Sequence, residues 1–382
     1  MLYHLLFEIV YPLVPDWPVL RVLNVIQYIT FRTAIAGATA LLVSLVVGGA
    51  LIRRLRAFQI GQNVRDDGPE SHLSKAGTPT MGGVLIVVSI VLSTLLWASW
   101  RNPFTWLVVG STLAFGAIGF TDDYLKIVRE RSLGLRARTK IGLQVLVTLG
   151  IGAFLLGLAA EGAFSTRLSV PFFKTFTPDL VLAPFDGPGF ALLAAAPFLL
   201  FIMLVVVGST NAVNLTDGLD GLAIGCVMVA SAALTVLTYV TGHAVFAGYL
   251  DLQHLPDVAE VTIFCGSLFG ASMGFLWYNA HPAEVFMGDV GSLALGGAIG
   301  TVAVIIKQEL LLVSIGGIFV VEALSVMIQV GSYKLRGKRV FRMAPLHHHF
   351  ELIGWTESKV IIRFWIAALL FALVSLSTLK LR

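Results

Sequence analysis

With 382 residues, 57% of them hydrophobic and only 13% charged, and a mean hydropathy of +0.88, the chain lies far from soluble domains, which carry about 25% charged residues. This balance excludes a soluble globular protein and predicts an integral membrane protein. The net charge of +4 resides in loop cations suited to anionic headgroups of membrane lipids, which argues against a nucleic-acid partner.

Residues 1 to 24 lack a cationic start and are interrupted by Pro12, Pro15 and Pro18, so they read as an interfacial lead-in rather than a cleaved signal peptide. A bilayer-spanning helix needs about 20 mainly apolar residues, because only an internally hydrogen-bonded backbone is tolerated in hydrocarbon. Ten stretches qualify: Val25 to Ile52, Thr80 to Trp100, Phe104 to Thr121, Ile141 to Ala160, Phe190 to Val213, Leu222 to Thr241, Val261 to Asn279, Gly291 to Ile306, Leu310 to Ser332 and Val360 to Leu379. The eighth is short, and a tight turn near Lys307 and Glu309 follows it. Their continuous apolar character, without alternation, predicts helices rather than a barrel. The expected fold is an all-α polytopic membrane protein, one domain over residues 1–382, with about ten transmembrane helices, cytoplasmic catalytic loops and both termini outside. Glu161 to Gly189, with alternating stretches and several prolines, suits a short outer hairpin. Cys226 and Cys265 fall within spans and suggest neither a disulfide framework nor a thiolate metal centre.

Threading ten spans places three long connections, 53 to 79, 122 to 140 and 333 to 359, on one side. These segments and their flanks hold 18 of the 26 Lys and Arg residues. By the positive-inside rule that side is cytoplasmic.

The same side collects the unusual polar residues. Asp122 and Asp123 end the third span, with Lys126 one turn on. Asn211, Asn214, Asp217 and Asp220 follow at intervals of three, so that on a helix neighbouring members are offset by about 60° and share a face. Gly218 and Gly221 then break one span and open the next. A core would satisfy its polar groups more cheaply with Ser or Thr, and ionisable groups within a membrane are functional by default. A third cluster runs from Asn279 and His281 through Phe286 to Asp289, which is close to glycines on both sides. A helix cap is the plain reading of Asp289, and it is compatible with a second role. Five aspartates at one face repel one another and call for a counter-cation. Carboxylate and amide oxygens suit Mg²⁺, which bridges to phosphates.

Lys75, Thr78 and Thr80 lead into the second span beside Gly82 and Gly83, a weak anion-binding signal lacking the P-loop spacing. His347, His348 and His349 sit in the last inner loop. At 100° per residue, three consecutive imidazoles cannot enter one pocket, so one or two are expected to meet phosphate or move a proton.

Taken together, Asp122-Asp123, Asn211 through Gly221 and Phe286 through Asp289 resemble the polyprenyl-phosphate N-acetylhexosamine-1-phosphate transferase superfamily. Pro345 through Glu351, Gly354-Trp355 and Arg363-Phe364-Trp365 are more similar to its N-acetylmuramoyl-pentapeptide branch than to its amino-sugar-transferring members. The resemblance covers essentially the whole chain. It implies transfer of phospho-MurNAc-pentapeptide from UDP-MurNAc-pentapeptide to undecaprenyl phosphate at the inner face of the bacterial cytoplasmic membrane. The products are UMP and lipid I, for peptidoglycan synthesis. It also implies a Mg²⁺ requirement and a homodimer. Asp122, Asp123, Asp289, His347 and His348 are the implied catalytic residues, with Asp289, Asp122 and Asp123 at the metal. Lys75, Thr80, Lys126, Asn211, Asn214, Asp217, Gly218, Asp220, Asn279, Phe286 and His349 are expected on the substrate side.

Two other functions compete. Transfer of GlcNAc-1-phosphate to the same lipid is the rival within the superfamily, and the histidine run followed by Phe350-Glu351 separates the two by resemblance. A transporter would carry polar groups across the midplane and toward both faces, whereas these gather at one.

Overall fold

The computed structural model describes residues 1–15, 17–57, 77–129, 134–173, 176–182 and 188–380. Apart from an isolated antiparallel bridge between Arg167 and Asp179, regular structure among these residues is helical. Helices α1 (Ile29–Ala57), α2 (Gly83–Trp97), α3 (Pro103–Val128), α4 (Ala137–Ala160) and α5 (Pro188–Thr216) are followed by α6 (Leu222–Gly242) and the short α7 (Ala244–Tyr249). The remainder are α8 (Val261–Asn279), α9 (Gly288–Ile305), α10 (Glu309–Ile315), α11 (Gly317–Arg336), α12 (Leu346–Leu352) and α13 (Glu357–Ser377).

Among the described residues nine helices are long and apolar enough to cross a membrane. The expected span that falls short is the second, α2, which at 15 residues rises only about 22 Å. Its missing length is replaced by segment 79–82, which turns into the polar site: the amides of Gly82 and Gly83 donate to the carbonyls of Phe286 and Met287. The ninth expected span is divided at Gly316 into α10 and α11. The expected tight turn before it is present, with Lys307 in a left-handed conformation at φ 58°. The expected hairpin contains the Arg167–Asp179 bridge and an amide bond from Leu168 to the carbonyl of Pro178.

Helices α8 and α9 form the buried centre. α1 lies along α8, α3 and α5 flank α9, and α6 packs between α8 and α13. Glycine makes the closest of these approaches possible, because a Cβ on Gly270 would overlap the backbone of Gly37. Outward-facing Leu42, Leu146, Leu200 and Leu370 are exposed, as expected of surfaces meeting hydrocarbon rather than water.

Tracing the alternation of helix directions puts the ends of α3, α5 and α8, the starts of α6 and α9, and the α11 to α13 connection at one end of the bundle. The opposite end is closed by two buried ion pairs. Arg32 at the start of α1 makes two bonds of 2.7 and 2.8 Å to Glu260, just before α8. Lys307 meets Glu309 at 2.8 Å beneath the rings of Phe164 and Phe198.

Candidate active site

Asp122 and Asp123 lie near the last turns of α3, both 3% exposed. One turn earlier, Gly119 presses against the first residues of α9, and a Cβ there would overlap the Asp289 carbonyl. With no side chain between them, α3 and α9 bring the three carboxylates together. Asp122, Asp123 and Asp289 each offer an oxygen lying within 4.8 Å of the others, a group able to hold a metal ion.

Two carboxylates about 5 Å apart repel by roughly 3 kcal/mol at an effective dielectric near 20. Lysines relieve that repulsion. Lys126 Nζ reaches Asp122 at 2.6 Å, Asp123 at 3.2 Å and Asp289 at 2.8 Å. Lys140, at the start of α4, contributes a second ammonium 2.8 Å from Asp289. Neutral donors complete the group: Asn214 gives its amide to Asp289 at 2.7 Å and to Ser292 at 2.8 Å. The Leu135 amide donates to Asp122 at 2.8 Å, and the Val290 amide to Asp123 at 3.2 Å. Thr80 borders the cluster, since a Cβ on Gly288 would lie 2.5 Å from Asp123 Oδ2 and 3.1 Å from Thr80 Oγ1. Three carboxylates facing two lysines leave room for one more positive charge. The oxygen-rich donor set, without a thiolate, suits a hard cation.

The second cluster departs from the shared helix face read from its spacing. α5 ends at Thr216, so Asn211 and Asn214 stand on the helix while Asp217 and Asp220 belong to the turn before α6. The turn closes through Gly221 at φ 77°, whose amide donates to Asn279 Oδ1 at 3.0 Å. Asn279 in turn donates to the Val285 carbonyl at 2.9 Å, so its side chain ties the turn to the α8–α9 loop. Asn211 bonds Gln144 at 2.7 Å, on the α4 side. Asp220 turns toward His281 Nδ1 at 3.2 Å and accepts the Ala283 amide at 3.1 Å. Together with Glu357 they form a second group of potential metal ligands. The Asp217 carboxyl is pushed well above the usual carboxylate range, first by burial and then by the charges of Asp289, Asp123 and Asp220.

Phe286 is half-buried, and its amide donates to the Pro79 carbonyl at 2.8 Å. Lys75 lies outside the described residues. The three histidines diverge on α12, as their 100° spacing requires. His347 is fully buried beneath Gly218, where a Cβ would overlap its Nε2. His348 Nδ1 meets Glu351 at 2.8 Å, and His349 Nδ1 accepts the Arg342 amide at 3.1 Å.

Residues 105–307 match the model of glycosyl transferase family 4, and residues 75–87 match phospho-N-acetylmuramoyl-pentapeptide-transferase signature 1. Relatives named phospho-N-acetylmuramoyl-pentapeptide-transferase cover 100% of this chain and of their own length. The protein of Koribacter versatilis is 61% identical, that of Acidobacterium capsulatum 63% and that of Citrifermentans bemidjiense 53%. The chain belongs to the phospho-N-acetylmuramoyl-pentapeptide-transferase family. The stretch 105–307 contains all five aspartates of the polar end, and the signature covers Lys75, Thr80 and the first turns of α2.

For this transferase, two polar residues escaped the reading by motif. Lys140 was visible only as one cation among many, although it directly precedes an apolar run. Glu322 is the sole carboxylate inside the span Leu310 to Ser332. It is fully buried, with Oε1 at 3.2 Å from the His347 amide. The default of function for an intramembrane ionisable group marks it without any motif.

Proposed function

We propose that the chain, acting as a single membrane domain, transfers phospho-N-acetylmuramoyl-pentapeptide from UDP-MurNAc-pentapeptide to undecaprenyl phosphate, releasing UMP and forming lipid I. The observation that carries this reading is the convergence of Asp122, Asp123 and Asp289 with Lys126 and Lys140 at one end of an apolar helix bundle. A water-soluble diphosphate and a lipid phosphate can meet only at such a boundary. The surplus of loop cations at that end supports a cytoplasmic site in a bacterial inner membrane, and the family resemblance supports a homodimer.

Phosphoryl transfer depends mainly on positioning and on neutralising charge. An oxygen of the acceptor phosphate attacks the sugar-side phosphorus of the diphosphate, the bond to the bridging oxygen breaks, and UMP departs with that oxygen. Asp122 takes the acceptor's proton and Asp123 orients the acceptor. Lys126 and Lys140 neutralise phosphate oxygens, and Asn214 holds Asp289 in place. Mg²⁺ bound by Asp289 with Asp122 and Asp123 would add further neutralisation at the diphosphate. Thr80, Asp217, Gly218, Asp220, Asn279 and Phe286 frame the nucleotide side, to which the family resemblance also assigns Lys75.

The test is UMP release from UDP-MurNAc-pentapeptide with undecaprenyl phosphate, with and without Mg²⁺, in wild type and in Asp122→Asn, Asp123→Asn and Asp289→Asn. Each substitution is expected to abolish most turnover while the protein stays folded. Release from UDP-GlcNAc alone would overturn the substrate. Rapid-quench trapping without lipid acceptor checks the direct route, which a phosphorylated aspartate would sink.

A further inference from the structure

A buried column runs from α11 through α12 to the turn before α6. At its base is Glu322, 0% exposed on a helix whose neighbouring positions are apolar; above it is His347, also 0% exposed. Glu322 Oε1 accepts the His347 amide at 3.2 Å and faces Nδ1 of the same residue at 3.3 Å. The imidazole edge carrying Nε2 packs on Gly218 so closely that no Cβ fits. The contact to the amide also has a local purpose. Pro345, the N-cap of α12, makes no side-chain capping bond, so a carboxylate from another helix satisfies one of the free N–H groups of that end.

Three polar atoms in this column, Glu322 Oε2 and both ring nitrogens of His347, lie buried without a hydrogen-bond partner among the described residues. Buried polar atoms are otherwise paired in more than about 90% of cases, so three exceptions in one column call for a physical account, and a role in the reaction supplies one. Around His347, the charged or titratable neighbours are Glu322 on α11, His348 on its own helix with ring centroids 4.2 Å apart, and Asp217 beside Gly218.

We propose that Glu322 is a positioning residue for the transfer reaction, acting through His347. It anchors the start of α12 and sets the imidazole so that Nε2 meets the Asp217–Gly221 turn. The inference rests on the reading, implied by the family resemblance, that His347 takes part in catalysis. A sideways shift of His347 would misplace the imidazole. The expected consequence is a loss of turnover rather than of donor binding, because the contacts described for Glu322 go to His347 and not to the residues that frame the nucleotide side.

The full chain in detergent is assayed for UMP release with UDP-MurNAc-pentapeptide and undecaprenyl phosphate, alongside its thermal unfolding. Glu322→Gln keeps an acceptor oxygen in place and is expected to retain activity within about threefold, whereas Glu322→Leu, which keeps the bulk and loses the acceptor, is expected to lose at least about tenfold in kcat. KM for the UDP substrate stays within about twofold, and kcat is read well below the unfolding temperature of Glu322→Leu, which the stranded His347 amide lowers. In the double variant Glu322→Leu/His347→Ala, activity equals that of His347→Ala alone, since a residue acting through another has no effect once that other is gone. Wild-type kcat in Glu322→Leu overturns the inference, as does a further loss in the double variant. A loss of kcat in Glu322→Leu that only parallels a fall in unfolding temperature assigns it a structural role and overturns it equally. Wild-type activity in His347→Ala sinks the underlying reading of the histidine instead.

Discussion

The two ends of the helix bundle both bury charge, and they do so in opposite ways. At one end Arg32 faces Glu260, and Lys307 faces Glu309, one cation to each anion. Each pair has a further neighbour: Glu260 also accepts the Ser99 amide at 2.8 Å, and the Lys307 ammonium lies 5.1 Å from the Phe164 ring centre, while Arg32 Nε and Glu309 Oε2 are buried with no hydrogen-bond partner among the described residues. At the other end, among the described residues, three carboxylates share two lysines, and of these Lys126 touches all three. A buried one-to-one pair contributes little net stability but fixes how helices meet. An unequal cluster keeps a net negative charge that a further cation would neutralise. Stoichiometry of charge, rather than burial, therefore separates the site from the staples.

The sharpest way to break this contrast is to remove charge from each end in turn. Asp289→Asn is expected to lower turnover by about 10²–10³-fold with an unfolding temperature close to wild type, read by UMP release and a thermal melt. Glu260→Ala is expected to do the reverse. Stranding Arg32 costs about 3–5 kcal/mol of stability, while the protein that remains folded keeps its specific activity. If Glu260→Ala impaired turnover without destabilising the chain, the division of labour between the ends would fail.

Lys140→Met probes a single member of the unequal cluster. Asp289 keeps Lys126, so the expected loss is smaller, about 10-fold in kcat, a loss of about 1.4 kcal/mol in transition-state stabilisation. The matching change at the closed end, Lys307→Met with Glu309→Leu together, is expected to leave activity unchanged and stability equal or higher.

The smallest effect concerns Asp217, whose carboxyl is raised by burial and by neighbouring carboxylates. The folded chain then holds a proton that the unfolded chain releases near its ordinary value of about 3.9. Stability contributed by that proton is complete below the unfolded value and disappears as pH rises through the folded one. Asp217→Asn removes the dependence. Its unfolding temperature is expected to exceed wild type at alkaline pH, with the excess shrinking as pH falls toward the unfolded value. A constant difference across pH would refute the assignment.

Much of the architecture was readable because hydrocarbon imposes a length rule on every apolar run. α8 was placed at Val261 to Asn279 from hydropathy alone, and the same bounds recur in the structure. Boundaries shifted where polar ends extend beyond the apolar part: α3 continues to Val128, past the Thr121 at which the apolar run stops. The break at Gly316 was not legible, because α10 and α11 together have the composition of one span. At the site, five aspartates group together because several carboxylates at one face are costly without a partner, whereas the choice of Asp122, Asp123 and Asp289 among them rests on the family resemblance. Asn211, Asn214, Asp217 and Asp220 were read as one helical face, yet the helix stops at Thr216, and Asp220 turns away to His281. Periodicity describes a face only while the helix lasts.

Sequence alone determined that this chain lives in a membrane as helices and that its unusual polar residues gather at one end, since transfer free energy and loop charge act locally along the chain. Only the tertiary structure decided which carboxylates share a lysine, that Lys140 rather than a nearer cation joins Lys126, and that Glu322 stands under His347. Those outcomes depend on how closely Gly119 lets α3 approach α9 and on how the α11–α13 connection folds over the turn at Gly218. Contacts between residues from 25 to more than a hundred positions apart leave no periodic trace in a linear chain.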